Sequence, residues 1–85
     1  MMVIIDPIHM DTLRKLFPEL SEKKLEIVVL YAYGMTKKEI AAYKEIHERS
    51  VLRALSEAGK DFGASNAESI RLIVFTRLIF NLLSR

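Results

Sequence analysis

The 85-residue sequence predicts an all-α fold, a bundle of four to five helices ending in a long apolar C-terminal helix. Three observations carry this expectation. Apolar residues recur at spacings of three and four rather than two, which is the period of a helix face. Residues that start and stop helices punctuate the chain: Asp6-Pro7, Pro18, Ser21, Gly34, Thr36 with Glu39, and Ser65 with Glu68. No Asn-Gly or Asp-Gly pair marks a β-hairpin.

In order along the chain, Asp6 caps a first helix and Pro7 takes its first position, where the missing N–H costs nothing. Ile8, Leu13, Leu16 and Phe17 form its apolar side, and Pro18 ends it near Phe17. Ser21 caps a second helix over about residues 22–33, whose Leu25, Ile27, Val28, Val29 and Leu30 enter the core. Gly34 then supplies the left-handed residue that closes a helix. Thr36 and Glu39 have the spacing of a capping box and open a third, short helix through Lys37, Lys38, Ile40, Ala41 and Tyr43. A fourth runs from near Glu48 to about Phe62. Ser65 and Glu68 repeat the capping-box pattern and open the last helix, from about Asn66 to Leu83.

This length supports one domain, 1–85, with an N-terminal helical arm (1–19), a middle core (20–64) and a C-terminal helix (65–85). Hydrophobic residues at 51%, three Gly and two Pro exclude disorder as the main state. The absence of Cys removes disulfides, thiolate catalysis and Cys-based zinc sites, and fits a reducing cytoplasm. The apolar start Met1–Ile5 lacks a basic flank and is too short for a signal peptide, so a cytoplasmic location is expected. His9 and His47 have no metal-ligand spacing, Gly34, Gly59 and Gly63 form no phosphate loop, and no nucleophile motif occurs. The expectation is therefore no enzyme, no metal and no cofactor. Net charge is only +2, so the placement of charge must indicate the partner.

That placement is informative between Lys37 and Phe62. A short helix, a turn of roughly four residues and a second helix match a helix-turn-helix, with Ile40, Ala41, Ile46, Val51 and Ala54 where the two helices would lock together. On a wheel at about 100° per residue, Val51, Leu55, Ala58 and Phe62 share one face of the second helix. Arg49, Arg53, Ser56 and Lys60 gather on another, flanked by Glu57 and Asp61. A cationic stripe with a hydroxyl on a recognition helix points to phosphate and base-edge contact with duplex DNA.

The chain resembles the LuxR/GerE-type helix-turn-helix domains of bacterial transcription regulators. Leu20-Ser21-Glu22-Lys23-Lys24-Leu25-Glu26-Ile27-Val28-Val29-Leu30 is similar to the family's opening pattern, and Gly34-Met35-Thr36-Lys37-Lys38-Glu39-Ile40-Ala41 to its Gly before a Lys-Glu-Ile-Ala core. Ile46, Ser50-Val51, Leu55, Phe62-Gly63 and Ser65-Asn66-Ala67-Glu68 continue the register. Departures are Lys24 for the family's Glu, His47 for its capping Ser, Leu52 for a backbone-binding Lys and Ala54 for a frequent His. By matched position, the resemblance implies Lys37 and Lys38 near a phosphate strand, Glu48, Arg49, Ser50 and Arg53 facing the groove, and dimerisation through the last helix. With no receiver or ligand-binding domain ahead of the motif, it implies a stand-alone regulator.

The last helix points to self-association independently. Leu72, Phe75, Leu78, Ile79, Leu82 and Leu83 form a broad arc, Ile73 and Phe80 lie on a second side, and Arg77, Asn81 and Ser84 form a narrow polar strip. One small domain cannot cover both apolar sides, so Ile73 and Phe80 are expected at a dimer interface; the run is too short to span a membrane. The leading expectation is a small transcriptional regulator that binds duplex DNA as a homodimer. Its rival is a protein-interaction module of the same fold, docking on RNA polymerase or another regulator, suggested by Leu52 and by Glu45, Glu48, Glu57 and Asp61.

Overall fold

A computed structural model describes residues 7–64 and 66–84 and assigns them five helices and no strand. They are α1 (Pro7–Leu16), α2 (Glu22–Ala32), α3 (Lys37–Lys44), α4 (Glu48–Phe62) and α5 (Ala67–Leu83). Their bounds lie within a residue or two of those read from the punctuation, and the Ser21 and Thr36 caps operate as expected. Ser21 Oγ accepts the Lys24 N–H at 3.4 Å. Thr36 Oγ1 accepts the Glu39 N–H at 3.1 Å while Glu39 Oε1 accepts the Thr36 N–H at 2.9 Å, a reciprocal capping box. Those bonds to Thr36 hold the Glu39 carboxylate below its ordinary pKa.

The expected cap of the last helix is corrected. Asn66, rather than Ser65, is the cap of α5, its Oδ1 accepting the Ser69 N–H at 3.0 Å; Ser65 lies outside the described residues, as does Asp6. Gly34, at φ +112, occupies the left-handed region that Gly tolerates.

α2 is the centre of the molecule and packs against all four other helices. Leu25 and Ile27 through Ala32 are buried, so this helix is apolar nearly all round, as a helix enclosed by neighbours must be. Phe17, Ile40, Val51, Leu55, Ala58, Ile70 and Val74 close the core around it. Fully burying one such Phe, Ile, Val or Leu side chain contributes about 1.5–3 kcal/mol, and in a domain this size each is a sizeable share of the total.

The faces of α5 are assigned differently from the sequence expectation. Ile70 and Val74 enter the core and Leu78 packs on its edge, whereas Leu72, Phe75, Ile79, Leu82 and Leu83, all from the broad arc, are exposed. Phe80 is exposed as expected, but Ile73 is half-buried. The reason is Arg77, which points inward instead of joining a solvated strip. Its guanidinium lies 5.1 Å from the centroids of both Phe17 and Phe62. It donates to the Leu16 carbonyl at 2.9 Å and to both carboxylate oxygens of Glu19 at 2.7 and 2.8 Å. The Arg77 hydrogen bond holds the Glu19 carboxyl below its ordinary pKa. Six residues earlier, Arg71 sits 3.9 Å from the Tyr31 ring centroid and donates through Nε to the Tyr31 carbonyl. Two arginines thus turn the polar side of α5 toward α1 and α2, which leaves most of its apolar arc outside. Among the described residues, no helix is long and apolar enough to cross a membrane.

Candidate nucleic-acid interface

α3 and α4 are joined by the three residues Glu45, Ile46 and His47. The reversal is made at Glu45, which closes α3 in the left-handed region at φ 56 and ψ 44. This lets the Ile46 N–H reach back to the Ala41 carbonyl at 3.0 Å. His47 then caps α4: its Nδ1 accepts the Arg49 N–H at 3.1 Å, the task for which a Ser is more usual. The two helices lock through Ile40, Ala41, Val51 and Ala54, all buried. Ile46, expected in that lock, is instead 36% exposed, because the left-handed turn carries it to the rim.

With Val51, Leu55 and Ala58 held in the core, the opposite side of α4 must face solvent. Arg49, Arg53, Ser56 and Lys60 are all exposed and form a ridge along the helix. Glu48 and Ser50 are exposed at its start, and Lys38 is exposed with Lys37 half-buried at the start of α3.

The acids beside the ridge do not stand free. Lys24 of α2 reaches across to Glu57 at 2.9 Å and to Asp61 at 3.8 Å. Its hydrogen bond to Glu57 raises the Lys24 pKa and lowers that of Glu57. Lys44, where a helix-turn-helix would more often place an apolar residue, pairs with Glu26 at 2.7 Å. Among the described residues, Lys23, Lys37, Lys38, Arg49, Arg53 and Lys60 form no such ion pair within 4.0 Å. The fold therefore matches acids on α2 and α4 with Lys24 and Lys44 and leaves the ridge cations unpaired. Each exposed pair adds little stability, about 0–1 kcal/mol, but together they set the sign of the potential over this face.

Two grooves border the ridge. One, of about 340 Å³, lies between the starts of α3 and α5 and is lined by Lys37, Leu52, Ser56, Lys60 and Asn66. The other, of about 510 Å³, lies between the start of α2, the turn and α4. Its lining includes Ile27, Ile46 and Ala54 together with the exposed Ser21, Lys23, Ser50 and Arg53. Reasoning from sequence missed the role of Lys24. Lys24 acts across a contact between helices some thirty residues apart, which leaves no local spacing signal. Among the described residues, no group of three or more His, Asp or Glu is placed to hold a metal ion.

No family model, no curated protein and no solved structure matches this chain.

Proposed function

We propose that the chain is a small transcriptional regulator of the LuxR/GerE-like helix-turn-helix type, which inserts α4 into the major groove of duplex DNA and works as a homodimer paired through α5. One observation carries the reading: the α4 ridge of Arg49, Arg53, Ser56 and Lys60 is exposed and unpaired, while the acids that would repel DNA, Glu57 and Asp61, are held by Lys24. The major groove, about 12 Å wide, admits one α-helix. Arg49 and Arg53 present forked donors suited to guanine edges, and Lys60 a point charge suited to phosphate. Pairing through α5 would cover its exposed apolar face and set the two α4 ridges about one DNA turn, roughly 34 Å, apart.

The test is selection from random duplex DNA, followed by affinity measurements on the winning site across a salt series. Arg53→Ala should cost about 1–3 kcal/mol and relax the sequence preference, whereas Lys60→Ala should weaken all duplexes alike. Binding to no duplex at low salt would defeat the reading. Leu52, 45% exposed where the family has a backbone-binding Lys, favours the second reading of a module that docks on RNA polymerase or another regulator. In that case the chain would show no steep salt dependence toward DNA.

A further inference from the structure

The larger groove beside α4 is built from residues that depart from the usual helix-turn-helix pattern. Glu45 takes the backbone through the left-handed region, and the Ile46 that follows is left 36% exposed in the groove lining, together with the buried Ile27 and Ala54. Lys44, where an apolar residue is more usual, also lines the groove and is drawn to Glu26 at 2.7 Å. The result is a concave surface of about 510 Å³, inside the range of roughly 300–1,000 Å³ that small-molecule sites occupy. Its charge is one-sided: the cations Lys23, Lys24, Lys44 and Arg53 line it against a single acid, Glu57. Glu57 and Asp61 engage Lys24, and Glu26 engages Lys44. Lys23 on α2 and Arg53 on α4 therefore remain, both exposed, without an acidic partner among the described residues.

We propose that this groove is an effector site for a small organic anion, its acidic head held between Lys23 and Arg53 and its apolar body laid against Ile46, Ile27 and Ala54. The unbalanced charge selects an anion. The exposed Ile46 selects one with an apolar part, because removing that side chain from water is favourable only when the ligand brings apolar surface to cover it. Ser50 and Arg53 line the same groove and belong to the surface proposed to enter DNA. An anion bound there neutralises Arg53 and fills the space beside it, so ligand and duplex lower each other's affinity and the ligand releases DNA. The release rests on the DNA-binding reading; the ligand site itself does not.

The probe is 4-phenylbutyrate, with the neutral 4-phenylbutanol as its control, each titrated into the full chain and followed by backbone-amide NMR shifts. Shifts should centre on Lys23, Ile27, Ile46 and Ala54, with a Kd of about 1 mM for a ligand of this size, and the alcohol should bind several-fold more weakly. Lys23→Ala should weaken the carboxylate by about two- to fivefold, as the loss of one solvated charge pair does, and Ile46→Gln should weaken carboxylate and alcohol alike. Both are changes at exposed positions, and matching helical circular dichroism would show that the fold is retained. Absence of shifts, shifts centred instead on Leu72, Phe75 and Ile79 of α5, or equal affinity for acid and alcohol would overturn the site. With a fluorescent duplex selected by the parent, the carboxylate should lower the anisotropy and should do so less in Ile46→Gln. A groove that takes the carboxylate and leaves the duplex bound would overturn the release. A parent that binds no duplex would defeat the DNA-binding reading, while the titration without DNA still decides the groove.

Discussion

Glu45 carries the tight reversal between α3 and α4 at φ 56, a conformation that costs an L-residue about 1–2 kcal/mol more than glycine. Replacing it with Gly removes that strain but adds about 0.5–1 kcal/mol of backbone entropy to be lost on folding. The difference leaves Glu45→Gly more stable by about 0.5–1 kcal/mol. No favourable contact opposes the gain, since the exposed carboxylate takes part in no ion pair among the described residues. For a domain of this size, 1 kcal/mol moves the melting temperature by about 4–8 °C, so the expected rise is about 2–8 °C. Thermal and urea unfolding followed by circular dichroism would measure it, with Glu45→Asn rising less and the β-branched Glu45→Val falling. Because the same change removes an acid beside the α4 ridge, affinity for a selected duplex should also increase. A Glu45→Gly protein that melts below the parent would refute the reasoning and show that the Glu45 side chain stabilises the turn.

Two further outcomes are expected. Arg77 holds the Glu19 carboxyl below its ordinary value of 4.5, so the stabilisation from this pair is complete above that pH and is lost as pH falls through the lowered folded-state value. Glu19→Gln should reduce the acid sensitivity of urea unfolding between about pH 5 and 2, and an unchanged pH profile would show that Glu19 contributes nothing there. On α5, Ile79 is 53% exposed at the middle of the outer apolar face, so Ile79→Glu should leave helicity intact while converting a light-scattering dimer to a monomer. A parent that is monomeric at high concentration would rule out pairing through this face.

Local chemistry alone determined the helices. A cap operates within three or four residues, so Ser21, Thr36 with Glu39, and Gly34 could be read without knowing what lies across the fold. The inner face of α4 was equally legible, because Val51, Leu55 and Ala58 repeat at the helical period and the ridge of Arg49, Arg53, Ser56 and Lys60 then has to point outward. What the helical period could not choose was which side of α5 meets the core. Counting apolar residues favours the broad arc. Yet long cationic side chains can cover aromatic surface with their stems and satisfy distant carbonyls with their heads, and Arg71 and Arg77 do so against Tyr31, Phe17 and Phe62. The sign of the surface beside α4 was likewise a tertiary matter. Glu57 and Asp61 are near Lys60 in sequence, but the cation that holds them is Lys24, brought there only by the packing of α2 on α4. Charge pairing depends on distance in space, and over thirty residues the sequence does not encode that distance locally; the fold does.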